Sequence, residues 1–262
     1  MVRKLLTTER LAAWSLVVVL VIFWETGARL SLWRPWLFPA PSTVFETLKA
    51  GFMDGSLPLS IRVSLVRLIS AFAIALIAGG LIGLTLGAVP TLRSAFAPLL
   101  SGLQTLPSIC WQPLAILWFG LSERAILFVT LMGAAVAIII AVTDGVVSIN
   151  PLTIRAAQMM GVRGFALWIR VLLPASLPAF AAGAKQGWAY GWRSLMAAEL
   201  LSVSAGSVGL GLALKRGRDI NNMSQVLAIM FVLIAIGVIA DKMLFTRLNK
   251  YIQKSFGLEE AH

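Results

Sequence analysis

The sequence predicts an all-α polytopic membrane protein with six transmembrane helices, and three observations lead there. Of 262 residues, 59% are hydrophobic and only 13% charged, and the mean hydropathy is +0.89. A soluble chain is about 45–50% apolar and about 25% charged, so this one lacks the polar surface to coat a water-soluble fold. Its apolar stretches also supply six segments of roughly the 20 residues that a bilayer crossing requires.

A cytosolic enzyme, a disordered protein and a nucleic-acid binder are excluded on the same grounds. The net charge of +11 belongs to residues flanking membrane spans rather than to a nucleic-acid surface. The lone Cys110 allows no internal disulfide, and the only histidine is His262, so the usual Cys/His zinc site is ruled out within the chain.

Span 1 is the apolar run from Leu11 to about Phe23, preceded by Arg3, Lys4 and Arg10. A basic start before an apolar run also describes a signal peptide. The bulky Trp14, Phe23 and Trp24 favour a span with its amino end in the cytoplasm. Residues 31–60 bring Trp33, Pro35, Trp36, Pro39 and Pro41 together, an interfacial elbow on the far side of the membrane. Within it Thr43 is expected to cap a short helix over 44–49, with Glu46 completing a capping box.

Span 2 covers about 63–89. Gly79, Gly83 and Gly87 share one of its faces and invite a close helix neighbour. Pro90 and Arg93 are expected to end it in a short turn. Span 3, over 106–120, contains Pro107, Gln112 and Pro113 and must be kinked or broken, which membranes tolerate where protein or water satisfies the freed backbone. The break falls at 121–124, and span 4 follows over about 125–147. Residues 148–171 do not read as a span. Span 5 runs over about 174–201 and carries Lys185, Gln186, Arg193 and Glu199; 202–222 reads as a glycine-rich loop, and span 6 covers about 224–245.

Six spans place both termini on one side. With that side cytoplasmic, eleven Lys and Arg lie inside and nine outside, which favours this orientation. Nine positive charges on the outer side still need an explanation, and an anionic cargo is one.

The stretch between spans 4 and 5 carries the most specific signal. It reads Arg155-Ala156-Ala157, three residues, Gly161, nine residues, then Val171-Leu-Leu173-Pro174. Small alanines let a short helix lie against a partner, and Gly161 permits a sharp reversal. The pattern resembles the EAA loop of bacterial ABC-importer permeases, E-A-A-x3-G-x9-I-x-L-P. Arg155 stands where that pattern has Glu, and Val171 where it has Ile. The stretches Leu37-Phe-Pro39-Ala-Pro41-Ser42, Pro113-Leu-Ala-Ile-Leu-Trp118-Phe119-Gly120-x-x-Glu123 and Ser207-Val-Gly209-Leu-Gly211 are similar to permeases importing sulfonates, taurine, nitrate and related anions.

The resemblance implies a type I ABC importer permease fold in a bacterial inner membrane. Residues 1–57 would form the amino-terminal span and periplasmic elbow, 58–245 the permease core, and 246–262 a basic cytoplasmic tail. It implies two ATPase subunits, a second permease (a copy of this chain) and a substrate-binding protein outside, with membrane lipid around the chain and no nucleic acid. Coupling to the ATPases would run through the loop 150–174, at Arg155, Ala156, Ala157, Gly161 and Arg163.

The chain would hold no cofactor, since ATP and Mg would bind the partner ATPases. In agreement, no G-x-x-x-x-G-K-[ST] phosphate loop occurs, nor any G-x-S-x-G or H-E-x-x-H. The chain therefore reads as a transport subunit rather than an enzyme.

Ionisable groups at mid-bilayer cost about 2.5–3.5 kcal/mol on insertion scales and should face protein or water. Lys185 and Arg193 fall roughly 80° apart on span 5 and about 12 Å apart along it. They are candidate pathway residues for an anion, with Gln104, Trp118, Trp192 and Glu199 beside them. The competing reading pairs these charges structurally with Glu25, Asp144 or Glu199. A stand-alone secondary carrier of an anionic solute is the alternative function, suggested by the broken span 3.

Overall fold

The computed structural model describes residues 2–201 and 207–255, and the side chains of 15–200 and 207–254 except 249 and 253. The side chains of Arg3, Lys4 and Arg10, part of the loop expected over 202–222, and residues 256–262 of the tail lie outside this description. The described residues form helices without a strand. They are α1 (Val2–Arg29), α2 (Pro41–Met53), α3 (Ser56–Ala88), α4 (Pro90–Thr105), α5 (Gln112–Phe119), α6 (Glu123–Val147), α7 (Pro151–Met159), α8 (Phe165–Leu167), α9 (Leu173–Leu201), α10 (Leu210–Asp219), α11 (Met223–Ala240) and α12 (Thr246–Ser255).

Among the described residues, four helical stretches are long and apolar enough to cross a membrane: Ser56–Ala88, Glu123–Val147, Phe165–Leu200 and Met223–Ile252. They correspond to spans 2, 4, 5 and 6. Span 1 falls on the 28-residue α1. Span 3 does not form one crossing helix. A 3₁₀ turn at Ser108–Trp111 and the eight-residue α5 occupy its range, because the Gln112-Pro113 step starts a new helix with proline at its first turn.

The core is a three-helix seam of α3, α6 and α9. Glycines set its spacing: a Cβ on Gly79 would sit 3.2 Å from Ile138, one on Gly83 2.7 Å from the Ile139 carbonyl, and one on Gly87 2.5 Å from Val146. The glycine stripe therefore faces α6, and Thr143 Oγ1 donates to the Gly83 carbonyl across the same gap at 3.2 Å. Small residues take this role in membranes because close backbone approach replaces the hydrophobic drive available in water. Gly183 and Gly187 of α9 meet Ala141 and Ile138 from the other side. Leu68, Ala134, Ile138, Val142 and Leu195 are buried there, while Ile69, Ile74, Ile77 and Leu81 of α3 point outward.

The bundle has two ends. The start of α3 meets α10, since Arg67 donates to the Val208 carbonyl and the Leu210 N–H donates to Ser64. The far end of α3 lies beside Val146 and so beside α7.

Four local expectations need correction. Pro90 does not end span 2 in a turn; it occupies the first turn of the 16-residue α4, where its missing N–H is harmless. Thr43 does not cap a short helix. Helix α2 begins at Pro41, and Glu25 of α1 accepts from the Ser42 N–H (3.1 Å) and hydroxyl (2.9 Å), placing a carboxylate at the helix amino end. Residues 210–219, expected as loop, form α10, which buries Leu210, Gly211 and Gly217. Pro174 does not open span 5. The helix begins at Phe165, and a wider π turn over Trp168–Leu172 precedes the proline; there the Leu173 N–H donates to the Trp168 carbonyl. Such a turn relieves the clash and lost hydrogen bond that proline brings to a helix interior.

Candidate functional site: a cavity beside Arg193 and a surface helix between α6 and α9

Helices α4, α6 and α9 line an open cavity of about 310 Å³. Its walls come from Leu103, Gln104 and Thr105 at the end of α4, the 106–109 connection and Trp111, Met132, Gly133, Val136 and Ala137 of α6, and Tyr190, Arg193 and Ser194 of α9. The α9 residues stand at i, i+3 and i+4, one face of the helix. Gly133 makes room, since a Cβ there would lie 1.9 Å from Ser194 Oγ.

Arg193 supplies the charge. Its Nε donates to the Ala189 carbonyl of its own helix at 3.2 Å, and its guanidinium carbon lies 4.7 Å from the Tyr190 ring centre. It forms no ion pair among the described residues. An arginine supported by a backbone carbonyl and an aromatic face keeps donors free for an anion, and its planar fork matches carboxylate, sulfonate and phosphate oxygens.

Of the six residues singled out for the pathway, this cavity brings together Gln104 and Arg193. The other four do not line it. Lys185 Nζ pairs with Asp241 Oδ1 at 2.6 Å, a partner outside the three considered. Trp118 is exposed and packs edge-on against Phe119 and Phe128. Trp192 packs against the buried clusters around Leu195 and Leu210.

Glu199 is 1% exposed and fully engaged. Ser64 Oγ donates to it at 2.8 Å, Arg67 Nη1 at 2.8 Å and the Gly211 N–H at 2.8 Å. Arg67 also donates from Nε to Glu123 Oε2 at 2.6 Å and from Nη2 to Glu123 Oε1. This buried network joins two of the stretches quoted from the sequence, the one ending in Glu123 and the one holding Gly209 and Gly211. The glycines are required there, since a Cβ on Gly209 would lie 2.7 Å from both Arg67 Nη1 and Glu199 Oε1. Tyr190, Ser194, Thr105 and Ser108 were not anticipated. The i, i+3, i+4 spacing around Arg193 is the sequence signal that finds the first two.

At the other end of the bundle lies α7, within the loop that joins α6 to α9. Asn150 caps it by accepting from the Leu152 N–H at 2.9 Å, and Pro151 takes its first position. Ala157 is buried, whereas Arg155, Ala156, Gly161 and Arg163 are exposed. Gly161 sits at φ +85°, in the left-handed region that ends the helix and turns the chain. Leu152, Met159, Met160 and Phe165 stand out from this end with between 67% and 84% of their surface free, an apolar patch of the kind that marks a partner contact. Arg155 forms no ion pair among the described residues.

A multi-helix membrane bundle, a cationic cavity and an exposed apolar surface helix at one end define a membrane permease component. The chain belongs to the family described as binding-protein-dependent transport system inner membrane component, whose model matches residues 75–256. It is 31% identical over 252 residues to a putative ABC transporter permease protein of Methanocaldococcus jannaschii, covering 95% of this chain and 93% of that one. It is 33% identical over 198 residues to the taurine transport system permease protein of Escherichia coli (73% and 71% covered). A third relative, a putative aliphatic sulfonates transport permease protein of Escherichia coli, is 29% identical over 261 residues, with 96% and 95% covered. The chain is thus an ABC transporter permease of the inner membrane, a transport subunit rather than an enzyme.

Proposed function

We propose that this permease imports a small oxyanion of the sulfonate or taurine class, driven by separate ATPase subunits and fed by a binding protein. The observation that carries the reading is Arg193, a guanidinium with no carboxylate partner among the described residues, in a cavity of about 310 Å³. A guanidinium beside Gln104, Thr105, Ser108 and Ser194 offers hydrogen bonds to oxyanion oxygens. Two relatives, a taurine and a putative aliphatic sulfonates transport permease, support the same cargo class.

Coupling is assigned to α7. Its exposed Leu152, Met159 and Met160 would seat in an ATPase groove, and Arg155, Ala156, Ala157, Gly161 and Arg163 would set its contact and turn. Nucleotide shifts such a machine only by binding its two states unequally, so the seat must move with the ATPases. Two ATPases, a second copy of this chain, both termini in the cytoplasm, and a division at 57 and 245 complete the arrangement.

The test is reconstitution in proteoliposomes. The complex with its ATPases and binding protein should take up labelled taurine or an alkanesulfonate only with ATP, and should ignore choline of similar size. Uptake by this chain alone, driven by an ion gradient, would overturn the reading in favour of a secondary carrier.

A further inference from the structure

A second cavity of about 150 Å³ lies against α4 and α6, nearer the α7 end. It is lined by Arg93, Ala97, Leu100, Ser101 and Gln104 of α4, by Ile140, Thr143 and Asp144 of α6, and by Leu86. The positions from α4 recur at three- and four-residue steps, as do Gly133, Val136/Ala137, Ile140 and Thr143/Asp144 along α6, so each set is one helix face. The α6 face continues without interruption from the larger cavity into the smaller. From Gly133 to Asp144 it spans about 16 Å. Gln104 lines both cavities.

Each cavity holds an arginine. Arg193 belongs to the larger, Arg93 to the smaller, and neither forms an ion pair among the described residues. Asp144 shares the smaller cavity with Arg93 yet comes no closer than the 4 Å of an ion pair. The two chambers therefore differ in field: the first presents a lone positive charge, the second a positive charge offset by a carboxylate.

We infer that the α4–α6 seam is one passage with two oxyanion stations, Arg193 and then Arg93, partitioned by the Gln104 side chain. This rests on the reading of Arg193 as an anion site. The second station holds the anion more weakly because Asp144 opposes it, so an anion that reaches Arg93 leaves it quickly. Gln104 suits the partition: its amide donates to an oxyanion in either chamber and adds no charge of its own.

The experiment reads the smaller chamber without transport. In full-length Cys110→Ser protein in its membrane, Ser101→Cys is labelled with an anionic methanethiosulfonate (ethylsulfonate) and a cationic one (ethyltrimethylammonium), with Met53→Cys as the exposed reference. The anionic-to-cationic rate ratio at Ser101→Cys should fall about threefold in Arg93→Gln and rise about threefold in Asp144→Asn, the effect of one unit charge several ångströms away in a wet chamber. Arg93→Lys should restore the ratio and controls for misfolding. Gln104→Ala should speed labelling of Ser101→Cys from the α10 face.

An unchanged ratio in Arg93→Gln, or no effect of Gln104→Ala, would overturn the two-station passage. Normal uptake by Arg193→Gln would instead sink the first station while leaving the Arg93 ratio intact, so the two failures are told apart.

Discussion

Arg67 of α3 holds Glu199 of α9 across 132 residues of sequence, Nη1 to Oε1 at 2.8 Å, with both side chains buried. The same guanidinium holds Glu123 at the start of α6 and the Val208 carbonyl before α10. One arginine thus ties together all three helices of the central seam at the end opposite α7.

Removing Glu199 leaves Arg67 its bonds to Glu123 and the Val208 carbonyl but strips the buried acceptor from the Gly211 N–H and the Ser64 hydroxyl, at about 1–3 kcal/mol for each buried group left unsatisfied. Glu199→Ala should therefore lower the melting temperature in detergent sharply and reduce membrane levels. Glu123→Ala should cost far less, because Glu123 is 57% exposed and water screens what it leaves behind. Equal melting temperatures for the two variants would contradict this ranking.

Glycine substitutions separate contact from conformation. Gly83→Ala puts a methyl 2.7 Å from a backbone carbonyl that has no room to retreat, an overpacking cost of about 1–3 kcal/mol. Gly102→Ala on α4 meets nothing within 4 Å and gains helix propensity of about 0.5–1 kcal/mol. Thermal melts of the two variants should move in opposite directions.

These cases also show what a sequence exposes. The stripe of Gly79, Gly83 and Gly87 is a local periodicity, and its meaning survives intact in the folded helix pair. Arg193 and Gln104 attract notice in the sequence because polar groups in apolar runs need a reason to be there, and folding brings both to the lining of one cavity. The partners of Glu199 and Lys185 were not legible. Ser64, Arg67 and Asp241 lie 56 to 135 residues away along the chain, and only folding brings them close. Helices α4 and α10 were missed for a different reason. Proline and glycine look like stops in a sequence, whereas Pro90 starts a helix and Gly211 and Gly217 are buried within one.

Lys185 and Asp241 are each nearly half exposed, and such pairs contribute about 1 kcal/mol or less. The double variant Lys185→Gln/Asp241→Asn should melt close to the parent and keep its uptake rate. A tenfold loss of uptake would return Lys185 to the pathway.

Arg155 is exposed and pairs with no carboxylate among the described residues, which leaves it free for the ATPase contact proposed for α7. Arg155→Glu should leave the melting temperature of the isolated permease unchanged and strip the ATPase from it during purification, more so at low salt, where the repulsion is least screened. Retention of the ATPase by Arg155→Glu at every salt concentration would remove Arg155 from the coupling contact.

The most direct measurement is ATP-driven uptake of labelled taurine or alkanesulfonate by the assembled complex carrying Arg193→Gln, with ATPase activity recorded in the same vesicles. The account predicts uptake lowered at least tenfold, ATPase activity and assembly retained, and partial recovery in Arg193→Lys. Uptake equal to the parent's, in vesicles where the complex is intact, would contradict it.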